Sequence, residues 1–367
     1  MTVGPIAFYL PSLRGGGAER VILNLVEGIT ERGLPVDVVL AAAEGTFLNH
    51  LPPSVRVVDL HAGRVLRSLA PLVRYLRRER PRALVSSMTH ANVVALVAAK
   101  VAHRGTPVIA TVHNTMSESM PQQRALLPGV WPTLMRRCYP WAARVVAVSR
   151  GAADDLARTT GFPRTQVEVV YNPVITTVLM SLARQTADHP WLAPGQPPVI
   201  LGVGRLTRQK DFPTLIRAFA ELRRRRPARL IILGEGEDRP ALEALAADLG
   251  VAGDVALPGF TSNAVTFMAG SALFVLSSAW EGLPTVLIEA LAAGAQVVST
   301  DCPSGPREIL QDGRLGALVP VGDVQALAAA IAAALDRRGE PVPADALRPF
   351  MRDAAVDHYL RLIERSA

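Results

Sequence analysis

The stretch 199-VILGVGRLTRQKDFPTLIRAFAELRRRRPARLIIL-233 holds one complete repeat of the fold. Val199–Val203 and Arg229–Leu233 are short runs dominated by apolar and β-branched residues. Between them, from Phe212 to Arg225, apolar residues recur at helical intervals. An uninterrupted apolar run marks a strand covered on both faces, and strand–helix–strand builds a parallel sheet. Downstream the alternation continues with a helix at 237–249 closed by Gly250 and strands at 255–257, 273–277 and 296–299. Upstream lies a polar, proline-containing stretch that includes ADHPWLAPGQPP, a linker signal. Before it, strands are predicted at 6–10, 36–41, 55–59, 83–86, 108–112, 145–148 and 167–171, with a helix at about 18–32. The prediction is therefore α/β, with two Rossmann-like, doubly wound parallel-sheet domains. Their expected spans are 1–174 and 175–349, the two facing each other across an interdomain cleft where ligands would bind. An amphipathic helix at 350–365 is expected to pack back toward the first domain as a terminal segment, 350–367.

Bulk properties agree with that organisation and exclude others. A chain of 367 residues exceeds one ordinary core. With 49% hydrophobic, 19% charged and 5% aromatic residues, it is aliphatic-rich and folded rather than disordered or fibrous. The two cysteines, Cys138 and Cys302, have no metal-ligand spacing, so neither a disulfide framework nor a zinc site is expected, and a cytoplasmic setting fits. The N-terminus MTVGPIAFYLPS lacks the pattern of a signal peptide, and apolar windows such as 91–99 are shorter than the ~20 residues of a spanning helix.

Charge is unevenly spread. Residues 1–180 carry 20 Lys+Arg against 11 Asp+Glu, whereas 181–367 carry 19 against 21. The segment 66–81 places Arg67, Arg74 and Arg78 beside Leu66, Leu69, Val73 and Leu76. It reads either as a basic helix on an anionic membrane surface or as a solvated helix with a core-facing stripe. Thirty-seven of the 39 basic residues are arginine, and only Lys100 and Lys210 are lysine. They are not interleaved with aromatics, which argues against nucleic acid as a partner.

Four segments carry candidate chemistry. Arg14-Gly15-Gly16-Gly17-Ala18-Glu19-Arg20 lies between a strand and a helix, where free N–H groups and close backbone approach suit an anion. An ordinary tight turn fits the same residues. A dinucleotide fingerprint does not, because Arg20 stands where its third glycine belongs. Gly204-Arg205 through Lys210 places two cations five residues apart after a strand, a diphosphate-binding pattern or a solvated loop. Ser277 to Ala290 contains Glu281 at a strand's carboxyl end and Glu289 as the lone charge in an apolar helix. Pro284 is expected at that helix's first position and Gly294 just past its end, about ten residues later. An all-round apolar helix is expected to be buried, so Glu289 needs donors, either ligand hydroxyls or neighbouring amides. His113 ends the strand at 108–112.

The spacing Glu281-x7-Glu289, with Gly282 and Pro284 behind the first glutamate, resembles the signature of glycosyltransferase family 4. In the family's order stand Gly15-Gly16-Gly17-Ala18-Glu19-Arg20, Tyr171-Asn172-Pro173, Gly204-Arg205 to Lys210, Gly234-Glu235-Gly236 and Pro258-Gly259-Phe260. Asp301-Cys302-Pro303-Ser304-Gly305-Pro306 resembles a loop of members that build bacterial surface polysaccharides. The resemblance implies the GT-B fold and retaining transfer of a hexose or N-acetylhexosamine from a nucleotide-sugar to a glycan or lipid-linked acceptor. It implies that Arg205 and Lys210 hold the diphosphate and that Glu289 takes the ribose hydroxyls. Glu281, with the Gly282 and Leu283 backbone, would contact the sugar, with His113 close to it. Gly16 and Gly17 would approach phosphates or acceptor, and Gly204 and Glu235 complete the donor set. Polysaccharide-building members favour a UDP-sugar over a GDP-sugar. No Asp-x-Asp motif stands at a strand end, so the expected reaction uses no metal and no cofactor. The expected location is the cytoplasm or the cytoplasmic face of the inner membrane. A sugar-nucleotide epimerase, an NAD-dependent oxidoreductase and a nucleic-acid-binding protein are the competing classes: the first does not explain the E-x7-E segment in its context, the second lacks the fingerprint glycine at Arg20, and the third lacks a recognised binding motif.

Overall fold

The computed structural model describes residues 4–119, 130–337, 339 and 341–366. It divides into two compact units. One runs to Val174 and takes up the chain again at Pro349; the other is Ile175–Arg348.

The first unit is built on a seven-stranded parallel sheet: β1 (Ile6–Leu10), β2 (Val36–Leu40), β3 (Arg56–Asp59), β4 (Ala83–Ser87), β5 (Val108–Val112), β6 (Arg144–Ala147) and β7 (Val167–Val169). Their order is β3-β2-β1-β4-β5-β6-β7. Every residue of β1, β2, β4 and β5 is buried, the consequence of helices on both faces. β3 lies at the sheet edge and is partly exposed. Its Arg56 forms a two-pronged ion pair with Asp37, and Tyr75 Oη donates to the same carboxylate at 2.6 Å. A carboxylate buried inside β2 is thereby satisfied. The core joins Ile6, Phe8 and Leu10 to Ile22, Leu25 and Ile29 of the helix Gly17–Glu31. It also takes Val356, Tyr359 and Ile363 from the last helix, Arg352–Glu364. Arg352–Glu31 (2.5 Å) and Arg32–Asp357 (2.8 Å) flank that contact, and the Phe350 ring lies 5.3 Å from that of Tyr171.

The second unit has six parallel strands: β8 (Val199–Val203), β9 (Arg229–Leu233), β10 (Val255–Gly259), β11 (Leu273–Leu276), β12 (Val297–Thr300) and β13 (Ala317–Val319). Their order is β10-β9-β8-β11-β12-β13. Ile200, Leu230, Ile232, Val275 and Val298 meet Leu215 and Phe219 of the helix Phe212–Arg223 and Leu327 and Ile331 of Val324–Leu335. β13 is an edge strand of three residues, with one residue fully buried, and the sequence pattern does not reveal it. In both sheets the chain leaves the central pair, β1/β4 and β8/β11, in opposite directions. Such a switch point opens a crevice beyond the strands' carboxyl ends.

The basic segment 66–81 folds as the helix Leu69–Glu79, with Leu72, Val73, Tyr75 and Leu76 buried. Its apolar stripe faces the core, so the solvated-helix alternative describes the stripe. Arg67, Arg74 and Arg78 remain exposed, as does Leu66 at 65%, in the short 3-10 turn before the helix. No helix among the described residues is long and apolar enough to cross a membrane.

Candidate active site

At the β8/β11 switch point the two following loops are stitched together. Ala279 N donates to Gln209 O (2.8 Å), Gln209 Nε2 to Trp280 O (3.1 Å), and Ser277 Oγ to Lys210 O (2.7 Å). This brings Lys210 Nζ to 2.7 Å from Glu281 Oε1, although the residues stand 71 apart in sequence. Ser278 Oγ donates to the same oxygen at 2.7 Å, and Gln209 Nε2 lies 3.5 Å from Oε2. Glu281 is only 6% exposed. A carboxylate so enclosed needs donors of this kind, and an ammonium has three, of which Glu281 engages one. Arg205 is exposed in the same loop, with no side-chain partner among the described residues.

The loop after β9 braces the first one. Gly204 N donates to Leu233 O (3.0 Å), Leu206 N to Glu235 O (2.9 Å), and Asp238 N to Leu206 O (3.1 Å). The approach is so close that a Cβ on Gly234 would sit 1.9 Å from Gly204 O and one on Gly236 2.1 Å from Leu206 O. Glu235 itself turns outward: Arg239 binds both its oxygens, at 2.7 and 2.9 Å, and holds its carboxyl below the usual range.

The helix carrying Glu289 spans Thr285–Ala292, shorter than expected. Pro284 is its N-cap rather than its first residue, because the extended backbone at Pro284 (ψ 100°) delays the helix by one position. Gly294 follows the C-cap Ala293 with φ +78°, the left-handed stop the sequence indicated. The helix is not buried all round. Thr285, Val286 and Glu289 are half-exposed and share one face, while Leu287, Ile288 and Leu291 point inward. Glu289 therefore stands at an accessible rim. The loop 301–305 supports the turn before it: Ser304 Oγ donates to Gly282 O at 2.7 Å, and Glu281 N to Pro303 O at 3.3 Å. Gly305, at φ +95°, lies so close that a Cβ would meet Pro284 Cδ at 2.5 Å.

In the first unit, Gly16 precedes the helix Gly17–Glu31 and has extended backbone. A Cβ on Gly17 would meet nothing within 4 Å. The glycine at 17 therefore answers no packing need, and the space beside this helix start is open. His113 follows β5 as a half-buried residue whose ring nitrogens are enclosed, and burial pushes its pKa down to about 4. Among the described residues no three His, Cys, Asp or Glu side chains form a metal-binding group.

Residues 15–178 match the family model described as Glycosyltransferase Family 4, and residues 183–345 match Glycosyl transferases group 1. The chain belongs to glycosyltransferase family 4. The lipopolysaccharide core biosynthesis glycosyltransferase LpsE of Rhizobium meliloti is 29% identical over 364 residues, 95% of this chain and 96% of that one. An N-acetylgalactosaminyltransferase of Campylobacter jejuni, named for a diacetylbacillosaminyl-diphospho-undecaprenol substrate, is 35% identical over 188 residues, 51% of this chain and 49% of its own. Among solved structures, HepE of Anabaena in complex with UDP and glucose superposes with a TM-score of 0.79 at 21% identity, covering 98% of this chain and 99% of that one. That likeness establishes the GT-B fold.

Several residues of this glycosyltransferase that the motif reading passed over now have a place. Gln209 and Ser278 supply donors to Glu281, and a search for partners of a buried carboxylate would have pointed to polar neighbours of both segments. Asp155 is buried and accepts from Met116 N (2.5 Å) and Ser117 N (3.1 Å), tethering the chain just beyond His113. Nothing in the sequence spacing links Asp155 to His113.

Proposed function

We propose that this glycosyltransferase is a retaining, metal-independent enzyme. It transfers a hexose or N-acetylhexosamine from a UDP-sugar to a glycan or lipid-linked acceptor in cell-surface polysaccharide synthesis. The observation that carries the proposal is the Lys210–Glu281 pair at the β8/β11 switch point, with the Arg205 guanidinium exposed in the same loop. Cleavage of the anomeric C–O bond leaves negative charge on the departing diphosphate. Fixed cations that meet that charge as it grows lower the barrier by binding the transition state better than the ground state. Lys210 retains donors for a phosphate oxygen while Glu281 holds its ammonium in place, and Arg205 offers a planar fork to a second oxygen.

The same reading assigns the other roles. Glu281, with the Gly282 and Leu283 backbone, contacts the transferred sugar. Glu289, on the accessible face of its helix, takes the ribose hydroxyls. Gly204 and the loop that Glu235 belongs to shape the donor site. Gly16 and Gly17 approach phosphate or acceptor at a helix start, with open space beside Gly17, and a neutral His113 meets the hexose. The names of the Rhizobium and Campylobacter relatives support a surface-glycan product and a lipid-linked acceptor, and HepE supports UDP as the nucleotide.

The test is a thermal-shift panel of UDP-, GDP- and ADP-sugars in EDTA, on the wild type and on Glu289→Ala. A ligand present at 100 times its Kd stabilises the native state by about 2.7 kcal/mol, several degrees in a protein of this size. UDP-sugars are expected to raise the melting temperature of the wild type and to lose most of that effect in Glu289→Ala. No shift with any nucleotide series, on folded protein, would defeat the proposal.

The exposed Arg67, Arg74 and Arg78 beside Leu66 support peripheral contact with an anionic membrane surface. In vesicle flotation the wild type is expected to float with phosphatidylglycerol-containing vesicles and not with neutral ones. The triple variant Arg67→Glu/Arg74→Glu/Arg78→Glu is expected to stay behind. Equal flotation with both lipids would remove the membrane from the reading.

A further inference from the structure

Lys100 is one of two lysines among 39 basic residues, and the donor site accounts only for the other, Lys210. It stands in the last turn of the helix Thr89–Ala102, with its ammonium 5.9 Å from the centre of the Trp141 ring. Trp131 and Trp191 are half-buried and Trp280 is buried, whereas Trp141 is 46% exposed. Val101, next to Lys100, is 44% exposed. A cation in the last turn of a helix offsets the dipole there, which accounts for the charge of Lys100. It does not account for an indole and a valine left in solvent beside that charge. Lys100 and Val101 precede β5 and Trp141 precedes β6, so the three side chains gather at the amino end of the sheet.

This surface continues into the helix Leu69–Glu79. The exposed residues of that helix, Ala70, Arg74, Arg77 and Arg78, recur at helical intervals and form one stripe. Arg77 Nη2 donates to Val101 O at 2.9 Å, so the stripe ends against the turn that carries Lys100 and Val101. Exposed Leu66 stands just before the opposite end of the helix, whose 11 residues rise about 16 Å. Residues 80–153, which include Lys100 and Trp141, hold nine Lys and Arg against a single acid, Glu118. Most of the basic excess of the first half arises there. Anionic headgroups over hydrocarbon suit this combination. An indole settles at headgroup depth, small apolar side chains enter below it, and the cations meet phosphates. A nucleic-acid strand is held by rings in series, and the rings nearest in sequence, Tyr139 and Phe162, are buried.

We infer that Trp141, with Val101 and Lys100, is an interfacial anchor that inserts at the headgroup level of an anionic bilayer. The inference rests on the membrane contact of the proposed function and adds its direction. The helix Leu69–Glu79 lies along the bilayer, with Leu66 at one end and the anchor at the other. Two points of attachment fix a tilt that one leaves free.

The experiment is tryptophan emission of the full chain on vesicles of phosphatidylglycerol and phosphatidylcholine whose acyl chains carry bromine, a short-range quencher. It compares the wild type, Trp141→Phe and a control in the second unit, Trp191→Phe. Bound wild type and Trp191→Phe are expected to lose emission relative to unbrominated vesicles, and bound Trp141→Phe to lose almost none. Partitioning into the vesicles should fall about tenfold in Trp141→Ala, the scale of one apolar side chain withdrawn from lipid. It should fall about fivefold in Lys100→Ala, the scale of one cation at an anionic surface. Both variants are expected to keep the wild-type thermal shift with UDP-sugars, since neither residue lies at the donor site. Equal quenching of wild type and Trp141→Phe overturns the anchor while the membrane contact stands. If the wild type binds no vesicles, the membrane contact fails and the anchor fails with it. A single-stranded oligonucleotide that shifts the emission of Trp141 where vesicles do not would give the surface to nucleic acid and overturn the inference. Should Trp141→Phe not fold, an unquenched wild type or undiminished partitioning of Lys100→Ala overturns it.

Discussion

Lys210→Ala is expected to lower turnover about 10²- to 10³-fold, the usual consequence of deleting one fixed group that stabilises developing negative charge. The effect should fall mainly on kcat, because the charge on the diphosphate grows as the anomeric bond breaks and the ammonium binds that state best. The deletion also leaves Glu281, 6% exposed, without its cation. Removing one partner of an enclosed pair is costly even where the pair itself adds little, so the melting temperature should drop as well. Lys210→Met separates the two effects, since it preserves most of the aliphatic stem that lies over Gly204. Double substitution Lys210→Met/Glu281→Gln should regain stability without regaining turnover. Steady-state kinetics with calorimetry on the three variants would check this. A Lys210→Met enzyme within tenfold of wild-type kcat would show that the lysine does not carry leaving-group charge.

Gly234→Ala is expected to destabilise the second unit by about 4 kcal/mol or more, or to prevent its folding. Two independent costs coincide there. The backbone has φ +140°, a region that L side chains rarely adopt, and the new methyl would lie 1.9 Å from the carbonyl oxygen of Gly204. Because that carbonyl belongs to backbone, no side-chain rotation relieves the clash. The loops after β8 and β9 would have to separate, breaking Gly204 N to Leu233 O and Leu206 N to Glu235 O. Gly250→Ala is the control. It has a positive φ of +70° but open space around the Cβ position, so it should cost only about 1–2 kcal/mol of backbone strain. Thermal unfolding of both variants distinguishes strain from collision. Equal melting temperatures would mean that the two loops do not meet as described.

The class of fold was legible because its signals are local. β1, β5, β8 and β9 occupy the residues that apolar continuity marks, since a strand covered on both faces has no polar side to interrupt the run. Helix stops such as Gly294 were legible for a related reason: a left-handed residue after a helix is a property of one position. Legibility failed where tertiary surroundings decide. The three-residue strand β13 pairs only with β12, and nothing in its own composition requires that. The helix with Glu289 looked buried from its composition, yet one face stays open because no element covers Thr285, Val286 and Glu289 fully.

The site divides in the same way. Residue types and order pointed to Arg205, Lys210, Glu281 and Glu289, because charges placed next to strand ends and inside apolar helices are conspicuous in one dimension. Sequence could not show that Lys210 spends a proton on Glu281, that Arg239 claims Glu235, or that the Thr111 hydroxyl lies against His113 Nε2. Those facts depend on which loops meet at the end of a sheet, and the order β10-β9-β8-β11 brings together residues 71 apart. The sequence by itself determined the alternation of strand and helix, the family and the residue types available for chemistry, because short-range patterning and spacing suffice for these. Only the tertiary structure decided which donor each charged group meets, because a hydrogen bond is settled within about 3 Å by groups that the chain's linear order leaves far apart.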